Sequence, residues 1–326
     1  MAICINCDGI CFGSYSITPS ADGICISGAF SHQGTEINPT QAQGSLSGYT
    51  TGGSGIDTID KFPFTSDTNA TDVGELTQAR DGVAGQSSTE SGYTSGGTAP
   101  PGAVNTIDKF PFAVDGNATD VGVLSQTRNR ATGQSSTENG YTSGGGNAPP
   151  IVNTIDKFPF AVDGNATDVG DLTLARRNAA GQSSLVSGYT SGGGPPSTVT
   201  IDKFPFATDA NATDVGDLTQ NRQLVAGQSS TESGYTSGGC TAPERKTVDK
   251  FPFATDTNAT DVGDITPASG RFAAAGQSST LSGYTSGGQL PGSTVVIDKF
   301  PFAADANATD VGDLTQARSD VAGQQV

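Results

Sequence analysis

Four cysteines cluster near the beginning of the chain: Cys4, Cys7, Cys11 and Cys25. A C-x2-C-x3-C run followed by a fourth thiol fits a four-thiolate zinc site, with the single histidine, His32, as an alternative ligand. The spacing is irregular for a zinc ribbon, and the same residues also read as disulfides or as small buried thiols. A second candidate metal motif, Asp-x-Asn-x-Thr-Asp, occupies residues 67–72 and recurs in five further copies. It resembles the opening of a calcium loop, but Gln78 stands where that loop needs a bidentate acid. The alternative is an Asx-type turn. The motif also contains an N-glycosylation sequon, Asn69-Ala70-Thr71, which we expect to be unused because no signal peptide is evident.

Candidates for catalysis are few. His32 lies outside the repeats described below, and no Ser, Cys or Lys stands beside a base. Cys240 is alone in a variable stretch. Carboxylates are plentiful, so a glycosidase pair is the one enzymatic reading left open. An enzyme usually needs one asymmetric site, whereas this chain offers six near-equal copies of everything. A non-enzymatic role is therefore expected.

The copies come from internal repetition. DKFPF begins at Asp60, Asp108, Asp156, Asp202, Asp249 and Asp298, and GYT places tyrosines at 49, 93, 141, 189, 235 and 284. The consensus runs GYTSGG, a variable loop, IDKFPFA, TDANATD, VGDLTQAR, two variable residues, then AGQSSTES. Eighteen of the 22 aromatics hold fixed places in it, which marks a specified core rather than a Gly-rich tether. Each unit reads as four short strands of the types VAGQS, GYTSG, TIDKFPF and DVGDL, separated by turn residues. Four strands in a period of 44 to 49 residues predict an all-β, six-bladed propeller of antiparallel strands. The chain starts the repeat without a VAGQ strand and supplies one at residues 321–325, so this strand is expected to complete the blade begun at Gly44. The competing arrangement is an open solenoid. Residues 1–43 form a Cys-containing segment read as an anchor, and residues 44–326 form the ring.

The unit resembles the kelch repeat. A Gly-Gly pair (Gly52-Gly53 in the first copy) follows an aromatic strand, a second aromatic strand follows, and then LTQAR leads into a small-residue strand. The fourth-strand Trp of many kelch units is missing. Over residues 45–326 the wording IDKFPFATDANATDVGDLT is similar to virion structural proteins of tailed phages of marine bacteria. This resemblance implies a propeller displayed on a particle, as a tail-fibre or receptor-binding module or a capsid decoration. It implies other virion proteins as partners through the N-terminal segment, a host-surface glycan or protein as target, and oligomeric display. A carbohydrate-binding or carbohydrate-cleaving ring is the alternative, and an intracellular kelch adaptor a third.

Six Phe pairs alternate with Lys and Pro, so both rings of a pair face one way: Phe62 and Phe64, Phe110 and Phe112, Phe158 and Phe160, Phe204 and Phe206, Phe251 and Phe253, Phe300 and Phe302. They are expected to fill the spaces between blades. Pro inside a strand asks for an edge or a bulge, and the Phe-Pro bond is a candidate cis bond. Twelve of the sixteen cations are repeated: the Lys61 series, and Arg80, Arg128, Arg176, Arg222, Arg271 and Arg318. These should pair with repeated Asp such as Asp60 and Asp72, the functional alternative being a cationic binding ring. The Gln86 series should line the axis or bond between blades.

The copies vary unevenly. The loop after Gly-Gly and the two residues after Arg change throughout, while SSTES and DANATD barely change. In a meander the two variable connections share one face. Candidate recognition residues there are Pro100, Pro101, Pro149, Pro150, Glu244, Arg245, Lys246, Gln289 and Leu290, the competing reading being drift at tolerant loops. The net charge of −17 argues against nucleic acid and anionic membranes, and no segment is long and apolar enough to span a bilayer. Production in a host cytoplasm is expected.

Overall fold

The computed structural model describes residues 43–326 except 147–149, 242–244 and 268–269, together with the backbones of four short strands before them. Those strands, Cys4–Ile5, Ile10–Cys11, Ser16–Ser20 and Gly23–Ser27, form two antiparallel pairs with Cys4 opposite Cys11 and Cys25 opposite Thr18. Cys7, His32, Pro149 and Glu244, and the side chains of Cys4, Cys11 and Cys25, lie outside the described residues. The chain divides into two units, Met1–Thr40 and Gln41–Val326.

The second unit is six four-stranded antiparallel sheets, and no helix occurs among the described residues. The second blade runs outward through Ala84–Ser87, Ser91–Ser95, Thr106–Pro111 and Thr119–Val123. The third to sixth blades run from Thr132–Ser135 to Thr167–Asp171, Ala180–Ser183 to Thr213–Asp217, Ala226–Ser229 to Thr260–Asp264 and Ala275–Ser278 to Thr309–Asp313. The first blade takes its inner strand, Ala322–Gln325, from the far end of the chain and continues through Ser47–Thr51, Thr58–Pro63 and Thr71–Glu75. Gln324 lies opposite Tyr49, as Gln86 lies opposite Tyr93. The ring is closed, and the open solenoid is set aside.

The inner strands are small because they crowd the axis. A methyl group on Gly133 would collide with the carbonyl oxygen of Gly85, and the same collision repeats at Gly181, Gly227, Gly276, Gly323 and Gly85 itself, around the whole ring. The Gln that alternates with this Gly turns away from the axis. Gln86 is 1% exposed and donates from Nε2 to the Tyr141 carbonyl and Thr142 Oγ1 of the next blade, at 3.0 Å each. Of the two readings of the Gln series, bonding between blades is the one observed.

Both faces of each sheet meet another blade, so the core is six wedges. On the third strand, Ile59 and Lys61 face the next blade, while Asp60 and Phe62 face the previous one. Tyr49, Ile59 and Leu76 pack with Phe110, Phe112 and Ala118 of the second blade. The Tyr49 ring lies 5.4 Å from Phe110 and stacks on Phe112 at 4.9 Å. The same trio recurs with Tyr93 and Phe158, Phe160; Tyr141 and Phe204, Phe206; Tyr189 and Phe251, Phe253; Tyr235 and Phe300, Phe302; and Tyr284 and Phe62, Phe64. Each buried ring contributes about 1.5–3 kcal/mol of transfer free energy, and each aromatic pair about 0.5–1.5 kcal/mol more.

Pro63 ends its strand opposite Ser47, beyond the last rung to the outer strand, Lys61 opposite Thr71, so no ladder bond is lost. The register shift of that ladder falls earlier, between Ile59 and Asp60. The cis bonds among the described residues are Pro100-Pro101, Gly194-Pro195, Pro195-Pro196 and Thr266-Pro267. The Phe-Pro bonds are absent from that set and so are trans, the isomer that X-Pro bonds favour.

Burial raises the pKa of all six ring tyrosines above the ordinary 10.0, and that of Tyr141 to about 12. A raised folded-state value means stability that is complete below pH 10 and lost as the pH climbs through the folded values. Lys61, held by its bond to Asp115, is shifted the same way. Tyrosinate absorbance should therefore appear together with cooperative alkaline unfolding between pH 10 and about 12. Ionisation of these tyrosines near pH 10 with the β-sheet circular dichroism intact would contradict the packing.

Candidate functional site

The two ends of the ring are braced by different chemistry. At the constant end, side chains do the bracing. Ser88 Oγ caps its own turn, accepting from the Ser91 N–H at 2.9 Å. Asn117 Oδ1 accepts from the Glu75 N–H of the preceding blade at 3.2 Å, while the Ala118 N–H donates to the Glu75 carbonyl. Lys61 reaches Asp115 of the next blade at 2.9 Å. In the first blade the same motif commits Asp67 to Lys299, Asn69 to the Asp313 N–H and Asp72 to the Gly74 N–H. The Asx-turn reading holds for the last Asp of the motif, whose Oδ1 accepts from the N–H two residues on in every copy, whereas the Asn bond is a strap between blades. The calcium-like side chains point at three separate protein partners. Among the described residues, no three His, Cys, Asp or Glu side chains converge to hold a metal ion.

At the variable end the main chain does the bracing. The second residue after each Arg (Gly82, Arg130, Asn178, Leu224, Ala273 and Asp320) is left-handed, with φ between 54° and 61°. Their backbones form a closed circle. Arg130 donates its N–H to Gly82, Asn178 to Arg130, Leu224 to Asn178, Ala273 to Leu224, Asp320 to Ala273 and Gly82 to Asp320, at 2.6–2.8 Å. The residue before each is bonded outward to the loop after Gly-Gly. Asp81 bridges Thr98, Arg177 bridges Gly194, Gln223 bridges Cys240 and Phe272 bridges Gln289. The same link runs from the Gly146 N–H to the Asn129 carbonyl and from the Ser54 N–H to the Ser319 carbonyl. The two variable connections therefore meet on one face, in every blade.

This division accounts for the uneven variation. A main-chain circle holds its shape whatever side chains it carries, whereas straps made by Ser, Asn, Lys and Asp cannot change residue type. On the variable face, Pro100 and Pro101 are exposed at the tip of a hairpin between Thr98–Ala99 and Gly102–Ala103, and Pro150 is exposed. Gln289 and Leu290 form a second small hairpin with Gly292–Ser293. The Arg245 N–H donates to the Gly239 carbonyl, and Lys246 pairs with Asp264 at 2.9 Å.

The repeated arginines are buried clamps. Arg80 and Asp108 are both fully buried and 2.8 Å apart, and each of the other five arginines pairs with the Asp that opens DKFPF in the next blade. Burial lowers the guanidinium pKa, and the Asp opposes that shift. Two cavities lined by the inner strands among the described residues have volumes of about 60 and 100 Å³, below the roughly 300–1,000 Å³ of ordinary ligand pockets.

Together these features define a six-bladed β-propeller. No protein-family model matches the chain, and no curated protein matches it in sequence.

Proposed function

We propose that this chain is a non-enzymatic virion structural protein of a tailed phage. In this reading it is displayed on the particle for host attachment or decoration, with the variable face turned to its target. The observation that carries this reading is the confinement of side-chain variation to the face whose repeated bracing is made by the main chain. The path of the polypeptide agrees with it. The chain joins the ring at the opposite end of the axis, where Gln43 Nε2 donates to the Ser229 carbonyl at 2.9 Å and the Gly44 N–H to the Ser278 carbonyl at 2.8 Å. In this reading the segment of residues 1–43 contacts other virion proteins. The likeness of the unit to kelch repeats, and of its wording to virion proteins of marine phages, supports the setting.

The test has two parts. Labelled antibody should locate the protein on purified particles, and its absence there rejects the virion setting. Alanine replacement of Arg245, Lys246, Gln289 and Leu290 together should lower host attachment about tenfold or more, equivalent to about 1.4 kcal/mol of affinity, without moving the thermal midpoint. Unchanged attachment would reduce the variation to drift. Release of reducing sugar from host glycans would replace the display reading with the hydrolytic one.

A further inference from the structure

The chain holds 33 acidic and 16 basic residues, so a cation with no carboxylate beside it stands out. The twelve repeated cations are all ion-paired. The remaining four, Arg130, Arg177, Arg245 and Lys246, all belong to the variable face. Lys246 has Asp264, Arg130 reaches across Gly82 to Asp320 at 3.9 Å, and Arg245, without an ion pair among the described residues, donates from Nε to Thr241 Oγ1 at 3.4 Å. Arg177 has no ion pair or side-chain hydrogen bond among the described residues, and its Nε is hidden without an acceptor. Its backbone is fixed by the reciprocal bonds to Gly194, at 2.9 Å each.

The neighbours of Arg177 are unsatisfied in the complementary sense. Asn178 donates from Nδ2 to Gln223 Oε1 at 3.3 Å, yet its Oδ1 has no donor among the described residues. Asn129, in the adjacent connection, donates to Thr98 Oγ1 at 2.6 Å, and its Oδ1 also has no donor. The bond from the Asn178 N–H to the Arg130 carbonyl sets the two connections side by side. All three residues are half-buried rather than enclosed in the core. The described acids of the face, Asp57, Asp81 and Asp320, belong instead to the first blade and the connections on either side of it.

We propose that the Arg177 sector binds an acidic carbohydrate. The saccharide's carboxylate or sulfate takes the guanidinium fork, and its hydroxyls donate to Asn129 and Asn178 Oδ1. A bare anion would leave both amide oxygens unfilled, and a neutral sugar would leave the guanidinium unpaired. The acidic charge of the chain does not forbid this. Most of its unpaired carboxylates, such as Asp72 and Asp120, sit on the outer strands, and screening limits their reach to about 8 Å at physiological salt. The inference rests on the recognition-face reading and names its ligand class.

The test is calorimetric titration of the full chain with oligogalacturonate, sulfated dextran and neutral dextran of matched length. At least one acidic probe should bind, with neutral dextran about tenfold weaker or more. Arg177→Ala should lose about tenfold or more in affinity while keeping its thermal midpoint, because its backbone bonds remain. Arg177→Lys should recover only part of the loss, since an ammonium cannot form the fork. Asp57→Asn, on the opposite sector, should change nothing. Failure of both acidic probes to bind, or undiminished binding by Arg177→Ala, overturns the proposal. Should that happen while loop replacement still abolishes attachment, the recognition face stands without its acidic ligand. Should the saccharide bind through Arg177 while loop replacement leaves attachment intact, the recognition-face reading is what fails.

Discussion

Asp108→Asn is expected to cost the ring about 3–5 kcal/mol, the range found when one partner of a buried ion pair is removed. The exchange keeps the shape of the side chain and removes only its charge. Arg80 is then left fully buried with its cation uncompensated. Its remaining partners are neutral carbonyls, those of Thr94 at 3.0 Å and Thr106 at 3.2 Å. Burial lowers the pKa of Arg80, but a guanidinium is not deprotonated in proteins, so the charge is not shed. Asp108 also accepts from the Thr77 hydroxyl at 2.7 Å and the Thr77 N–H at 3.0 Å, so one carboxylate ties two points of the first blade to the second. The matching readout is urea unfolding with an unchanged m-value and a lowered midpoint. Arg80→Met combined with Asp108→Asn should recover much of the loss, because no unpaired charge then remains buried. A cost below about 1 kcal/mol for the single exchange would rank the clamp with exposed pairs such as Lys61–Asp115.

The partner of Arg80 shows where the sequence stops being readable. Periodicity, the strand types and the missing VAGQ strand are properties of one repeat, and they specify blades, their number and the closing strand. The alternation of Phe62 and Phe64 with Lys61 even indicates which way the rings face. A contact between blades is different. Sliding the pattern by one period leaves the sequence nearly unchanged, so Asp60 and Asp108 are indistinguishable as partners for Arg80 until the blades are placed. The same degeneracy hid the Asn117 strap, which local spacing presents as a turn. The left-handed circle was hidden for another reason. Arg130 and Leu224 have no preference for φ near 55°, and the closing bonds to neighbouring blades impose it. The one trace in the sequence is a constant two-residue spacing of changing composition after each Arg, the mark of a geometry set by the main chain. For the Arg177 sector, sequence shows an unrepeated cation but not that its carboxylate partner is missing.

Removing residues 321–326 is expected to abolish the cooperative monomer. The lost strand pairs Ala322 with Thr51, Gly323 with Thr50, Gln324 with Tyr49 and Gln325 with Gly48. It also carries the Gln324 bond to the Tyr93 carbonyl at 2.9 Å and the Gln325 bond to Ser87 Oγ at 3.0 Å, which join the first blade to the second. Without it, Ser47–Thr51 becomes an open edge of small, uncharged residues around one tyrosine, the kind of edge that recruits a strand from another molecule. Light scattering should show oligomers, and thermal unfolding should broaden. Placing VAGQQV ahead of Leu46 instead should restore the monomer, because Val326 already bonds to Leu46 and Ser47 and the junction would become a local turn like that from Ser88 to Ser91. The relocated strand should also speed refolding. In the native order the closing pair spans nearly the whole chain, and that loop must be closed before any of its contacts are gained. A truncated chain that stays monomeric with an unchanged midpoint would show that the other five blades hold the ring without its closing strand.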